Sequence, residues 1–441
     1  MHPARPRPSV ATAVAGALVL AGAAAACGAT PVAAVTPVHA VGPAAVGPAV
    51  AAGSASVAGP AAVAGPAAVA ARAAGTAPTR SGRRVRGALA GAAAVARARS
   101  VRSRMTLAQE VGQLLLAGVP ATDPARAAAL VATYHLGGVF LQGRSYAGVA
   151  VTAAGIRRLR RAAVPATAAG AGLWVATDQE GGFVQVLNGP GFSRIPSAAT
   201  QSTSTFAGLR ASSAAWAGQL ARAGVDVDLA PVADVVQGNP AANPPIGYYG
   251  RQYGRSIGDV VWAVRAVVPG YTAAGVTATV KHFPGLGRVT ANTDTRADVV
   301  DAVTTRTGAN ESPFRAALTA GAGLLMVSSA RYTRIDAHHL AVFSPTVIGG
   351  MIRGDLHWQG VVISDDLGAA ASVAAVPVGS RAVSFVAAGG DVVLTVDPRL
   401  VPAMATALIA HARAVPAFRA QVDASVLRVL TRKAQLGLLP R

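Results

Sequence analysis

Acidic side chains are scarce in this chain, nineteen among 441 residues, and several stand where short apolar runs end. Asp178 closes the run 173–178, Asp234 follows the run 227–232, Asp365 and Asp366 lie at the end of the run 361–365, and Asp397 follows the run 392–396. Lys281 and His282 close the run 277–282, and Lys281 is one of only two lysines, the other being Lys433. Carboxylates accept hydrogen bonds from hydroxyls in pairs, and one can attack an anomeric carbon, so acids joined by a Lys-His pair and arginines suit a sugar site. An acid just past a strand also caps the next helix, and for Asp234 or Asp397 taken singly that is the simpler reading. Other chemistries find no support. The eight histidines lack His-Glu-x-x-His spacing, there is one cysteine, and neither a Gly-x-Ser-x-Gly elbow nor a phosphate-binding Gly-x4-Gly-Lys-Ser/Thr loop occurs. Residue types alone therefore reach a polar, acid-lined mouth, with no metal and no cofactor expected.

The elements that must position these residues are legible as eight apolar runs: 114–119, 137–141, 173–178, 227–232, 277–282, 324–328, 361–365 and 392–396. Their near-continuous apolarity suits strands covered on both faces of a parallel sheet, and Ala/Leu/Arg-rich stretches between them are long enough for helices. Eight strand–helix alternations predict an α/β chain folded as a (β/α)8 barrel, in which function gathers at the C-terminal ends of the strands. A doubly wound open sheet is the alternative, weakened because no Gly-rich dinucleotide fingerprint follows an early strand.

Four segments occur in a telling order: Asp178-Gln179-Glu180-Gly181-Gly182, Leu229-Ala230-Pro231-Val232-Ala233-Asp234, Lys281-His282-Phe283-Pro284-Gly285-Leu286-Gly287 and Ile363-Ser364-Asp365-Asp366-Leu367. Together with the opening at Met105 they resemble glycoside hydrolase family 3, specifically its single-domain bacterial β-N-acetylglucosaminidases, over residues 105–439. The resemblance implies Asp365 as the nucleophile of a retaining mechanism, with Asp366 supporting it. It implies Asp178, Lys281, His282 and Arg251 as contacts to the terminal sugar, and Glu180 as an organiser of its loop. The substrate expected is a glycan or muropeptide carrying terminal β-linked N-acetylglucosamine, and the N-acetyl preference rests on the resemblance alone. A β-glucosidase or β-xylosidase of the same family is the enzymatic alternative.

The sequence also departs from that family. Its acid/base is a His two residues after an Asp; those places hold Asp294 and Asn292 here. Leu286 replaces a His in the Lys-His motif, and Val186 stands where the family has a substrate-contacting Arg. Two readings follow: Asp294 serves as general acid/base, with Asp298 and Asp301 in reserve, or the protein is a slow or non-catalytic muropeptide binder. The intact nucleophile motif favours the first.

Charge divides the chain. The first 109 residues carry eleven basic residues and no acid. Arg5 and Arg7, the apolar run 10–20 and small residues thereafter read as an export signal, the run being too short to span a bilayer. Cys27 follows three alanines as in a bacterial lipobox, so residues 1–27 are expected to be a signal peptide with lipid attachment at Cys27. The Ala/Pro/Gly-rich stretch 28–100, with its repeated Gly-Pro-Ala-Ala-Val, is expected to be a disordered tether, and 101–441 the catalytic barrel. The formal net charge of +20 comes from 37 arginines with no nucleic-acid motif beside them, so no nucleic-acid partner is expected. The expectation is an exported, monomeric protein, either a cell-membrane lipoprotein or extracellular.

Overall fold

In a computed structural model the described residues are 80–163 and 168–440. The export signal, Cys27 and residues 28–79 of the expected tether lie outside them. All eight apolar runs form strands: β1 (Leu115–Pro120), β2 (Gly138–Gln142), β3 (Trp174–Thr177), β4 (Val227–Asp228), β5 (Thr277–Phe283), β6 (Leu324–Val327), β7 (Val361–Ser364) and β8 (Val393–Thr395). Each pairs in parallel with its sequence neighbour, and β1 pairs with β8 at Leu115–Val393, Leu116–Leu394 and Ala117–Thr395. An isolated bridge between Ile363 and Val392 joins β7 to the start of β8 and all but closes the ring. The chain is thus a (β/α)8 barrel, as its apolar pattern predicts.

The strands are apolar throughout because both faces are covered. Leu115, Leu141, Val175, Val280, Leu325, Val362 and Val393 are all fully buried, with helices such as Phe206–Ala223 and Ile257–Ala273 packed against one another outside. These helices begin at side-chain caps that the sequence supplies: the Thr205 and Ser256 hydroxyls accept the backbone N–H of Gly208 and Asp259, satisfying donors with no partner inside the helix.

Two strands depart from regular pairing, both at the site. β4 is short because Pro231 offers no N–H to a ladder; the segment continues beside β5 through Thr279 N–H to the Ala230 carbonyl and Ala233 N–H to the Lys281 carbonyl. Pairing of β5 with β6 shifts between Val280 and Phe283. Strict alternation would send Lys281 and His282 to opposite faces, whereas both line one cavity. The pairing with β6 breaks at these same two residues.

The boundary expected near residue 100 needs correction. Residues 80–100 are not tether: Arg80–Arg102 form a helix packed against the C-terminal helix Pro416–Gln435. Alanine and arginine are strong helix formers, and Ala94, Ala98 and Val101, spaced by four and three, bury one face. Arg102 pairs with Asp423 at 3.0 Å and Arg419 with the buried Glu110.

Candidate active site

A cavity of about 310 Å³ opens at the C-terminal ends of the strands, and its wall includes Asp178, Arg251, Lys281, His282, Asp294 and Asp365. Every catalytic and sugar-binding residue singled out from the sequence is therefore in one place. Leu286 and Asn292 share that wall. Val186 lies buried, its N–H donated to the Asp178 carbonyl.

Asp365 follows β7 directly. Its backbone N–H donates to the Val327 carbonyl at the end of β6, and one carboxylate oxygen accepts the Asp366 N–H at 2.9 Å. The other oxygen has no protein partner among the described residues. Asp366 is committed elsewhere: its two oxygens accept the backbone N–H groups of Gly368, Ala369, Ala370 and Val396 at 2.7 to 3.0 Å. Burial raises its pKa against those hydrogen bonds. It ties the turn after β7 to the end of β8 and thereby fixes the backbone that carries Asp365, the supporting role expected of it.

The same cavity wall carries an ionic lattice. Lys281 Nζ is 2.6 Å from Asp178 Oδ1 and 2.6 Å from Glu180 Oε1. Arg251 grips both oxygens of Glu180, at 2.9 and 2.7 Å, and donates to the Pro245 carbonyl at 2.7 Å. Burial alone would raise the Glu180 carboxyl; Arg251 and Lys281 outweigh it and hold the group at about 2. Burial likewise disfavours the Lys281 ammonium, yet Asp178 and Glu180 raise its pKa. With both carboxylate oxygens spent on the two cations, Glu180 holds Lys281 and Arg251 in place, and Asp178, Lys281 and Arg251 stand at the cavity wall.

Asp234 is where the simple reading fails. It caps no helix. Completely buried, it accepts from His282 Nδ1 at 2.7 Å and from the Leu286 N–H at 2.7 Å. That contact fixes the orientation of the imidazole at the cavity wall and leaves Nε2 without a protein partner among the described residues. The signal in the sequence was its place at the same strand rim as the other acids. Asp397, by contrast, does cap a turn, accepting the Arg399 N–H at 2.9 Å and pairing with its guanidinium. The two reserve acids are structural: exposed Asp298 pairs with Arg331, and buried Asp301 accepts from Val303 N, Thr304 N and Thr304 Oγ1.

Asp294 stands on the loop after β5. Its N–H donates to Asn292 Oδ1 at 2.9 Å, a local turn that explains the Asn. The carbonyls of Thr293 and Asp294 accept the N–H groups of Ser372 and Ala371 from the segment after β7. The side chain keeps one side open to solvent. Crowding by the cavity wall on the other side, then the charge of Asp365, raises its carboxyl to about 6. Asp294 and Asp365 thus share one cavity, the charge of one adding to the elevation of the other.

Residues 106–432 match the glycosyl hydrolase family 3 N-terminal domain. The chain belongs to glycosyl hydrolase family 3. Within that family it is similar to a β-hexosaminidase of Stenotrophomonas maltophilia, 37% identical over 236 residues that make up 52% of this chain and 68% of the relative. A solved β-N-acetylhexosaminidase from Beutenbergia cavernae is 45% identical, with a TM-score of 0.73 over 75% of this chain and 98% of that one. A family 3 β-N-acetylglucosaminidase from a Paenibacillus species is 30% identical, with a TM-score of 0.66 over 76% of this chain and 63% of that one. The protein is a glycoside hydrolase of the β-hexosaminidase-like branch of family 3.

Proposed function

We propose that this family 3 hydrolase is an exo-acting, retaining β-N-acetylglucosaminidase that removes the terminal sugar of cell-wall or related glycans. The observation that carries the mechanism is the pairing of Asp365 with Asp294 in one cavity, the latter's carboxyl raised to about 6. Asp365 attacks C1 as Asp294 gives its proton to the glycosidic oxygen; the C1–O bond breaks and a glycosyl ester forms at Asp365. Asp294, now ionised, takes a proton from water, which attacks C1 and frees Asp365. Asp178, Lys281, Arg251 and His282 hold the sugar hydroxyls. The cavity volume, at the small end for ligand sites, suits one terminal ring.

The test is turnover of a chromogenic N-acetyl-β-glucosaminide by residues 80–441, beside Asp365→Ala and Asp294→Ala. Activity undiminished in Asp365→Ala overturns the mechanism. Restoration of Asp294→Ala by azide, with a β-glycosyl azide as product, supports its acid/base role. Binding of sugar without any turnover returns the non-catalytic reading.

We further propose a single-domain enzyme exported and anchored through Cys27, on the strength of Arg5, Arg7, the apolar run and the alanines before the cysteine. Loss of incorporated labelled fatty acid in Cys27→Ala is the expected result.

A further inference from the structure

Only twenty of the 441 residues are aromatic, so large rings left in water stand out. Phe183 and Tyr248 are 61% and 66% exposed. They are not scattered. Phe183 stacks on Tyr249 with centroids 4.6 Å apart and planes 23° from parallel, and Tyr248 meets Tyr249 edge-on at 5.0 Å. Arg144, just beyond β2, hydrogen-bonds the Phe183 carbonyl at 2.9 Å and sets its guanidinium 5.8 Å from the Phe183 centroid. Three loops, after β2, β3 and β4, thus meet in one exposed aromatic surface.

This surface is continuous with the active site through the chain itself. Phe183 follows Glu180 by three residues on the short hairpin after β3. Tyr248 and Tyr249 lie between Pro245 and Arg251, both in the cavity wall, and Arg251 is bonded to Glu180. Only Gly250 separates Tyr249 from Arg251, so their α-carbons are at most about 7.6 Å apart. The cavity itself has room for a terminal sugar, and whatever is joined to that sugar must emerge at the rim.

We infer that Phe183, Tyr248 and Tyr249, steadied by Arg144, form a platform for the leaving-group side of the substrate, binding its second pyranose ring by stacking. The faint positive charge on the axial C–H bonds of a β-linked pyranose complements the negative face of an aromatic ring, and a rigid pre-stacked pair loses little freedom on binding. The inference rests on the glycosidase reading of the cavity and adds to it a preference for glycans over isolated glycosides.

Two substrates sharing the terminal sugar test it: N,N′-diacetylchitobiose, which has a second ring, and N-acetyl-β-glucosaminyl fluoride, which has none. Phe183→Ala and Tyr248→Ala each lower kcat/KM for the disaccharide by about 2- to 10-fold, chiefly through KM, and leave the fluoride unchanged, while Phe183→Tyr restores the disaccharide rate. Equal losses on both substrates, or no loss on the disaccharide, overturn the platform and leave the glycosidase standing. A wild-type protein that turns over neither substrate overturns the glycosidase reading and the platform with it. Sedimentation of the wild type as a dimer that Phe183→Ala dissociates assigns the surface to self-association instead, and overturns the inference.

Discussion

The barrel carries a cluster of charges at each end, and they are built to opposite rules. At the N-terminal floor, Asp391 is completely buried; it receives Arg353 and Arg428, each at 2.7 Å, and the Val362 N–H at 2.7 Å. Lys433, also buried, meets Gln113 Oε1 at 2.6 Å and lies 5.6 Å from the Trp174 centroid. At the C-terminal mouth Glu180 is closed in the same way, but Asp365 and Asp294 keep oxygens facing an open cavity. Ionic side chains alone do not mark a site. What marks it is a charge whose hydrogen-bonding capacity the fold has declined to fill, supported by neighbours whose capacity is full.

That contrast can be broken most forcefully at Asp365. Asp365→Ala is expected to lower kcat on the order of 10⁴–10⁶-fold, the scale on which loss of a nucleophile acts in other hydrolases, with a melting temperature close to wild type. Asp294→Ala costs about 10²–10⁴-fold on substrates with poor leaving groups and less on aryl glycosides. Asp391→Ala reverses the pattern: it strips a fully buried carboxylate from two half-buried guanidinium groups and costs about 3–5 kcal/mol of stability, read by denaturant titration, while kcat of the folded fraction stays unchanged.

Smaller effects sharpen the comparison through pH. Asp294 must be protonated to assist departure of the leaving group, so kcat/KM falls as pH rises through about 6. Because part of that elevation is the charge of Asp365, the Asp294 carboxyl in Asp365→Asn titrates lower, measured by carbon NMR. At the floor, burial pushes the Lys433 ammonium down to about 7. Between that value and the usual 10.5 the unfolded chain holds a proton the folded one lacks, so this group's contribution to stability rises with pH across that window. Lys433→Met removes that slope.

The eight strands were legible because burial on both faces demands unbroken apolar runs, and runs such as 361–365 admit no other reading in this setting. Asp178, Lys281, His282 and Asp365 were legible as members of a site, since acids and lysine are rare enough here for their recurrence at strand ends to carry information; Arg251 and Asp294 were reached only through the resemblance to family 3. Partnerships were not legible. Nothing in Leu-Ala-Pro-Val-Ala-Asp says that Asp234 orients an imidazole 48 residues later; that depends on a strand ladder interrupted by proline. The helix Arg80–Arg102 escaped because an alanine-rich tether and an alanine-rich helix have one composition, and only the apolar groove of another helix distinguishes them.

The two hydrogen bonds that fasten Thr293 and Asp294 to Ser372 and Ala371 have a mechanical consequence. Asp294 travels with a loop zipped to the strip of chain that leads away from Asp365, so the two carboxylates are set together or not at all. A change that loosens that seam separates the two carboxylates without touching either of them.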